Sequence, residues 1–155
     1  MHPHEALIRE FYAAFARHDA EAIARCYHRD IFFTDPVFPA LRGADAGDMW
    51  RMLLSRAADL EITLDEASAD DDGGRARWTA RYTFSRTGRP VVNRIEAMFA
   101  FRERLIVRHF DSFPFWRWSR QALGPMGVLL GWLPPLKWKV RKDAAKALEK
   151  FTRGA

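Results

Sequence analysis

Arg75-Ala-Arg-Trp-Thr-Ala-Arg-Tyr-Thr-Phe-Ser-Arg86 alternates without a break, with Trp78, Ala80, Tyr82 and Phe84 on one side and Arg77, Thr79, Arg81 and Thr83 on the other. A period of two with the aromatic residues on a single side marks a strand that buries one face and wets the other. The pattern recurs on both flanks. Before it, Leu60–Ala69 groups Leu60, Ile62 and Leu64, and Asp70-Asp-Asp-Gly-Gly74 supplies a turn. After it, Thr87-Gly-Arg-Pro90 closes a hairpin into Val91–Arg102, where Asn93, Ile95, Ala97, Phe99 and Phe101 share a face. A tight turn near Glu103 leads to Leu105–Phe113, with Val107, His109, Asp111 and Phe113 together. Four alternating strands joined by short turns predict an antiparallel meander.

The first half has a different period. Leu7, Ile8, Phe11 and Phe15 stand at helical spacing over residues 4–17. Asp19 is an N-cap for a short second helix that buries Ala22, Ile23 and Cys26 and ends near His28. Ile31–Thr34 is a short strand, and a third helix over Ala44–Ala58 turns Met49, Met52 and Leu53 inward. Helices followed by a meander predict an α+β fold in which helices cover one face of a curved sheet.

At 155 residues the chain suits one domain with a real core, and its 48% hydrophobic and 29% charged content is that of an ordinary soluble protein. The single cysteine, Cys26, excludes an internal disulfide framework and a cysteine-based zinc site. His2, His4, His18 and His28 are scattered without carboxylate partners at helical spacing, so no metal and no cofactor is expected. The start, Met1-His-Pro-His-Glu5, lacks the basic and apolar regions of a signal peptide, and a cytoplasmic location is expected. Charge is segregated. From Trp116 onward nine basic side chains face only Asp143 and Glu149, so this tail carries +7 while the rest of the chain carries −2. Every lysine lies in the tail. The body therefore gives no reason to expect nucleic-acid binding.

Between the helices lies Ile31-Phe-Phe-Thr-Asp35-Pro-Val-Phe-Pro-Ala-Leu-Arg-Gly43, where one carboxylate stands among apolar residues and before a proline. It is either a turn aspartate in water or an acid at the mouth of an apolar pocket, and the second setting raises its pKa and suits it to proton transfer. The ordered set Phe11-Tyr12, His18-Asp19-Ala20-Glu21-Ala22-Ile23, Tyr27-His-Arg-Asp30, Thr34-Asp35-Pro36, Leu41-Arg42-Gly43 and Arg108-His109-Phe110-Asp111 resembles the nuclear transport factor 2-like superfamily over roughly residues 4–113. That superfamily includes ketosteroid isomerases, SnoaL-like polyketide cyclases and limonene epoxide hydrolases. The resemblance implies a cone-shaped sheet wrapped by helices, an apolar cavity at its open end, and a homodimer through the outer face of the sheet.

It also implies a general base at Asp35. The isomerase partners do not carry over, because the acid position falls on Ala97 and the tyrosine position on Phe11, one residue before Tyr12. The epoxide hydrolase set falls on Trp78, Ala80 and His109 and is likewise missing. SnoaL-like cyclases are the better match. They imply an acid or base on the last strand, where His109 and Asp111 share a face about 7 Å apart. The expected catalytic pair is Asp35 and His109 across one cavity, with Tyr12, Phe15, Trp78, Tyr82, Asn93, Phe99 and Asp111 around a small apolar ligand.

Residues 1–115 thus form the expected cone domain and 116–155 a basic, tryptophan-rich helical extension packed on it. The apolar run from Gly124 to Leu136 is too short and too rich in Gly and Pro to span a bilayer. Val140, Ala144, Ala147, Leu148 and Phe151 line one side of a final helix whose other side is basic. Such a tail covers the sheet or cone mouth as a lid with Trp116, Trp118, Trp132 and Trp138, or meets an anionic membrane surface. The expected function is an isomerase, cyclase or dehydratase acting on a small apolar molecule. The alternatives are a ligand-binding or dimerisation module without chemistry, and a membrane-surface protein.

Overall fold

The computed structural model describes residues 1–130 and 134–154. Two helices open the chain, α1 (Pro3–Ala16) and α2 (Ala20–Cys26), followed by β1 (Tyr27–Thr34), the two-residue β2 (Leu41–Arg42) and α3 (Ala44–Arg56). Then comes the meander β3 (Glu61–Ala69), β4 (Gly74–Phe84), β5 (Arg89–Arg102) and β6 (Leu105–Ser112), and three helices close the chain, α4 (Phe115–Leu123), α5 (Pro125–Leu130) and α6 (Pro134–Gly154). The six strands form one sheet in the order β2-β1-β6-β5-β4-β3. Its neighbours are antiparallel except β1 and β6, which run parallel.

The alternation on β4 and β5 appears in burial except at Thr79, which is buried on the expected solvent face with its hydroxyl donating to Asp65 Oδ2 at 2.7 Å. Trp78 and Ala80 are buried on β4, and Val91, Asn93, Ile95, Ala97 and Phe99 on β5. Against that face pack Ile8, Phe11, Tyr12 and Phe15 of α1, Ile23 of α2, and Met49, Trp50 and Met52 of α3. Asp19 caps α2 as its position predicts, accepting the Ala22 N–H at 3.0 Å.

Three local expectations are corrected. The second helix stops at Cys26, because Tyr27 is already extended and pairs with Ile106. The inward face of α3 includes Trp50, 3% exposed, while Leu53 is only half-buried. On β6 the register passes from Ala100 opposite Arg108 to Phe101 opposite Ile106, which makes Val107 the extra residue of a bulge. Ile106 takes the core position at 0% exposure, and Val107 does not share the face of His109.

The C-terminal helices lie on the same body. α4 crosses the part of β5 that β6 leaves unpaired: the Val92 N–H donates to Gln121 Oε1 at 2.8 Å, and Arg89 Nε donates to the Gln121 carbonyl at 2.8 Å. Val91, Phe115, Trp118 and Ala122 form a second apolar cluster there. α6 lies against α3, with Leu148 in the main core. Trp132 lies outside the described residues. Among those described, no helix is long and apolar enough to cross a membrane.

α5 is held close to α4 by a missing side chain. A Cβ on Gly127 would fall inside the contact radius of the Ser119 carbonyl group, which is backbone and cannot rotate away. Gly127→Ala should therefore cost about 1–3 kcal/mol, as overpacking does elsewhere. In hydrogen exchange the loss should be confined to α4–α6. Unchanged protection of those helices would mean that α5 is not docked on α4.

Candidate active site

His109 is the most enclosed polar side chain of the cone. It is 0% exposed, and the rings of Phe99, Phe33 and Phe11 lie 4.5, 5.1 and 5.3 Å from its own, centroid to centroid. Both ring nitrogens are engaged: Nδ1 lies 2.8 Å from the Tyr27 hydroxyl and Nε2 lies 3.0 Å from Asp111 Oδ1. The direction of this chain follows from its ends. Trp50 Nε1–H can only donate, and it donates to the Tyr27 oxygen at 2.8 Å. Tyr27 in turn gives its hydrogen to Nδ1, which leaves Nε2–H for the Asp111 carboxylate. Asp111 Oδ1 also lies 3.4 Å from Trp78 Nε1. Trp50, Tyr27, His109 and Asp111 thus form one hydrogen-bonded chain from α3 to β6.

Asp35 reaches the same end of the cone from β1. The parallel register pairs Phe33 with His109 and Thr34 with Phe110, so Asp35 follows beside Asp111. Asp35 makes the turn that its place before a proline suggests. Its Oδ1 accepts the Val37 N–H at 2.7 Å and the Phe38 N–H, as a turn aspartate does. Although part of its side chain remains exposed, the packing around it pushes its carboxyl up to about 7, the charge of Asp111 adds to that rise, and the two amides and Arg141 act against it.

The other expected residues lie at separate places in the core. The Tyr12 hydroxyl is buried with no hydrogen-bond partner among the described residues, and burial followed by the nearby Asp111 charge raises its pKa. Tyr82 is raised by burial and accepts the Trp118 Nε1–H at 2.8 Å, which ties α4 across the mouth. Asn93 is buried on β5 opposite Ala80. Phe15 and Phe99 belong to the wall, Phe15 packing on Trp50 at 4.8 Å and on Trp78 at 5.3 Å. His109 is fully enclosed by rings with both nitrogens engaged, whereas Asp35 is half-buried just past the end of β1. The positions expected to carry an isomerase acid and tyrosine are the buried apolar Ala97 and Phe11.

Sequence reasoning missed Tyr27 and Trp50. An indole at a buried helix position needs an acceptor for its N–H, and that requirement was the available signal. Cys26 is buried, and burial moves its thiol up to about 11, which leaves it unreactive at neutral pH. Among the described residues no three of His, Cys, Asp and Glu converge as a metal site would need.

The family model of the SnoaL-like domain matches residues 8–109, and the chain belongs to that family. Among solved structures, AclR from Streptomyces galilaeus, provisionally assigned as a hydroxylase, is 24% identical, with a TM-score of 0.63 over 84% of this chain and 97% of its own. A protein from Pseudomonas putida KT2440, provisionally assigned as a polyketide cyclase, is 19% identical, with a TM-score of 0.65 over 77% of this chain and 97% of its own. TerC, co-crystallised with polyporic acid, is 20% identical, with a TM-score of 0.62 over 73% of this chain and 92% of its own. At these identities the likeness is one of fold. No curated protein matches the chain.

Proposed function

We propose that this SnoaL-like protein binds a small, mostly apolar carbonyl compound at the carboxyl pair and moves a proton on it, as an isomerase, cyclase or dehydratase does. What supports this reading is Asp35 itself: a half-buried carboxyl flanked by Phe33, Val37 and Phe38, within reach of the Asp111 charge and pushed by burial up to about 7. A group so poised is populated in both protonation states at neutral pH and serves equally as base and acid. As base it takes the proton from the carbon next to the carbonyl, and the electron pair moves onto the carbonyl oxygen. Tyr12, whose hydroxyl meets no hydrogen-bond partner among the described residues, supplies the hydrogen bond that the developing oxyanion needs. Asp35 then returns the proton elsewhere on the same molecule. In this scheme His109 positions Asp111 rather than touching the ligand, since both its nitrogens are occupied. Trp118 and Tyr82 close the mouth, so entry requires α4 to lift. TerC, co-crystallised with polyporic acid, and a Catenulispora acidiphila protein in complex with trimethylamine support ligand binding in this fold. Association of two copies through the outer sheet face, where Met98 is 60% exposed, fits the family resemblance.

Proton exchange tests the reading. A panel of cyclic aromatic ketones incubated in D2O should lose the NMR signal of their activated C–H faster with the protein than without it. Asp35→Asn, which keeps the amide-accepting oxygen, should slow that exchange by about 100-fold or more. Equal exchange by both proteins would remove Asp35 from the chemistry. Saturable binding without exchange would favour a ligand-binding module.

A further inference from the structure

Outside the cone, α6 and the chain from Val37 to Leu41 enclose a groove of about 640 Å³. That volume lies within the range of small-molecule sites. Its floor is apolar, built from Val37, Phe38, Leu41 and Leu148. Its α6 edge is cationic. Arg153 is paired with Glu149, but Arg141 and Lys142 face the groove with only Asp45 across from them. Trp138 stands on the rim at 63% exposure, with Lys142 Nζ 4.9 Å from its ring centroid. An apolar trough with cations along one edge complements a molecule that is apolar along its length and negative at one end.

We propose that this groove binds an amphipathic anion, an acyl or aryl chain ending in a carboxylate, with Arg141 and Lys142 on the head group and Trp138 over the chain. The site is separate from the cone and does not depend on the chemistry assigned to it. It is connected to it all the same. Arg141 Nε donates to the Pro36 carbonyl at 2.9 Å, next to Asp35, and the Arg141 charge favours the ionised form of that aspartate. An anion on Arg141 offsets that charge, so a filled groove shifts the titration of Asp35 upward.

The test is calorimetric titration of the full-length protein with decanoate below its micelle concentration. Decanol and decyltrimethylammonium serve as controls of equal chain length, and phosphatidylglycerol vesicles as a separate arm. Decanoate should bind saturably and at least about tenfold more tightly than either control, the worth of one charge-assisted hydrogen bond. Arg141→Gln should weaken it by about tenfold, and Lys142→Gln, at an exposed position that cannot unfold the protein, should weaken it several-fold. Equal affinity for decanol, or indifference to Lys142→Gln, would overturn the proposal. So would binding confined to vesicles, which would make the basic helix a lipid-surface contact.

Discussion

Asp35→Asn should leave stability almost unchanged at pH 4 and raise it by up to about 4 kcal/mol at pH 8. The sign follows from where the proton resides. Asp35 titrates at about 7 in the folded protein and near its ordinary 3.8 once unfolded. Below about pH 4 both states hold the proton, and the group contributes nothing. Between the two values the unfolded chain has released its proton while the folded protein keeps it, so each rise in pH favours unfolding. Above 7 the full cost of a buried charge is present. Asparagine keeps the oxygen that accepts the Val37 and Phe38 amides, so the turn survives and only the titration is removed. Urea unfolding of both proteins at pH 4, 6 and 8 measures the difference. Parallel curves would mean that water reaches the carboxylate, and the proton-transfer reading would fall with it. A residue that weakens the fold at working pH is what a site, rather than a core, retains.

The second large effect is at the centre of the cone. His109→Ala removes a ring in contact with Phe11, Phe33 and Phe99 and strips partners from Tyr27 and Asp111. Cavity formation and the abandoned polar groups together should cost about 3–5 kcal/mol. Tyr27→Phe, which leaves the Trp50 N–H and His109 Nδ1 without partners, should cost about 1–3 kcal/mol. Because the two residues belong to one hydrogen-bonded chain, the double variant should lose less than the sum. Additive losses in thermal or urea denaturation would show that the chain does not act as a unit.

Much of the fold was legible before any coordinates, and for a definite reason. β4 and β5 bury one face and wet the other, so their period of two is written into Trp78, Ala80, Asn93, Ile95 and Ala97. Where a residue's environment is set by distant chain the reading ran out. Tyr27 reads as the end of a helix until Ile106, far along the sequence, offers it a strand partner. The bulge at Val107 leaves no local mark, because an extra residue in one strand shows only against its neighbour. Parity along a strand was enough to place His109 and Asp111 side by side, whereas the enclosure of His109 depends on how the rings of Phe11, Phe33 and Phe99 fill the cone.

The sequence determined the order of helices and strands, which faces are buried, and the concentration of positive charge in the last forty residues, because these depend on local periodicity and composition. Only the tertiary structure decided that Asp35 follows β1 on the side of Asp111, that Trp50 and Tyr27 engage His109, and that Trp118 of α4 bonds to Tyr82. Those relations rest on the parallel pairing of β1 with β6 and on packing between segments far apart in the chain, and no spacing within a single segment encodes them.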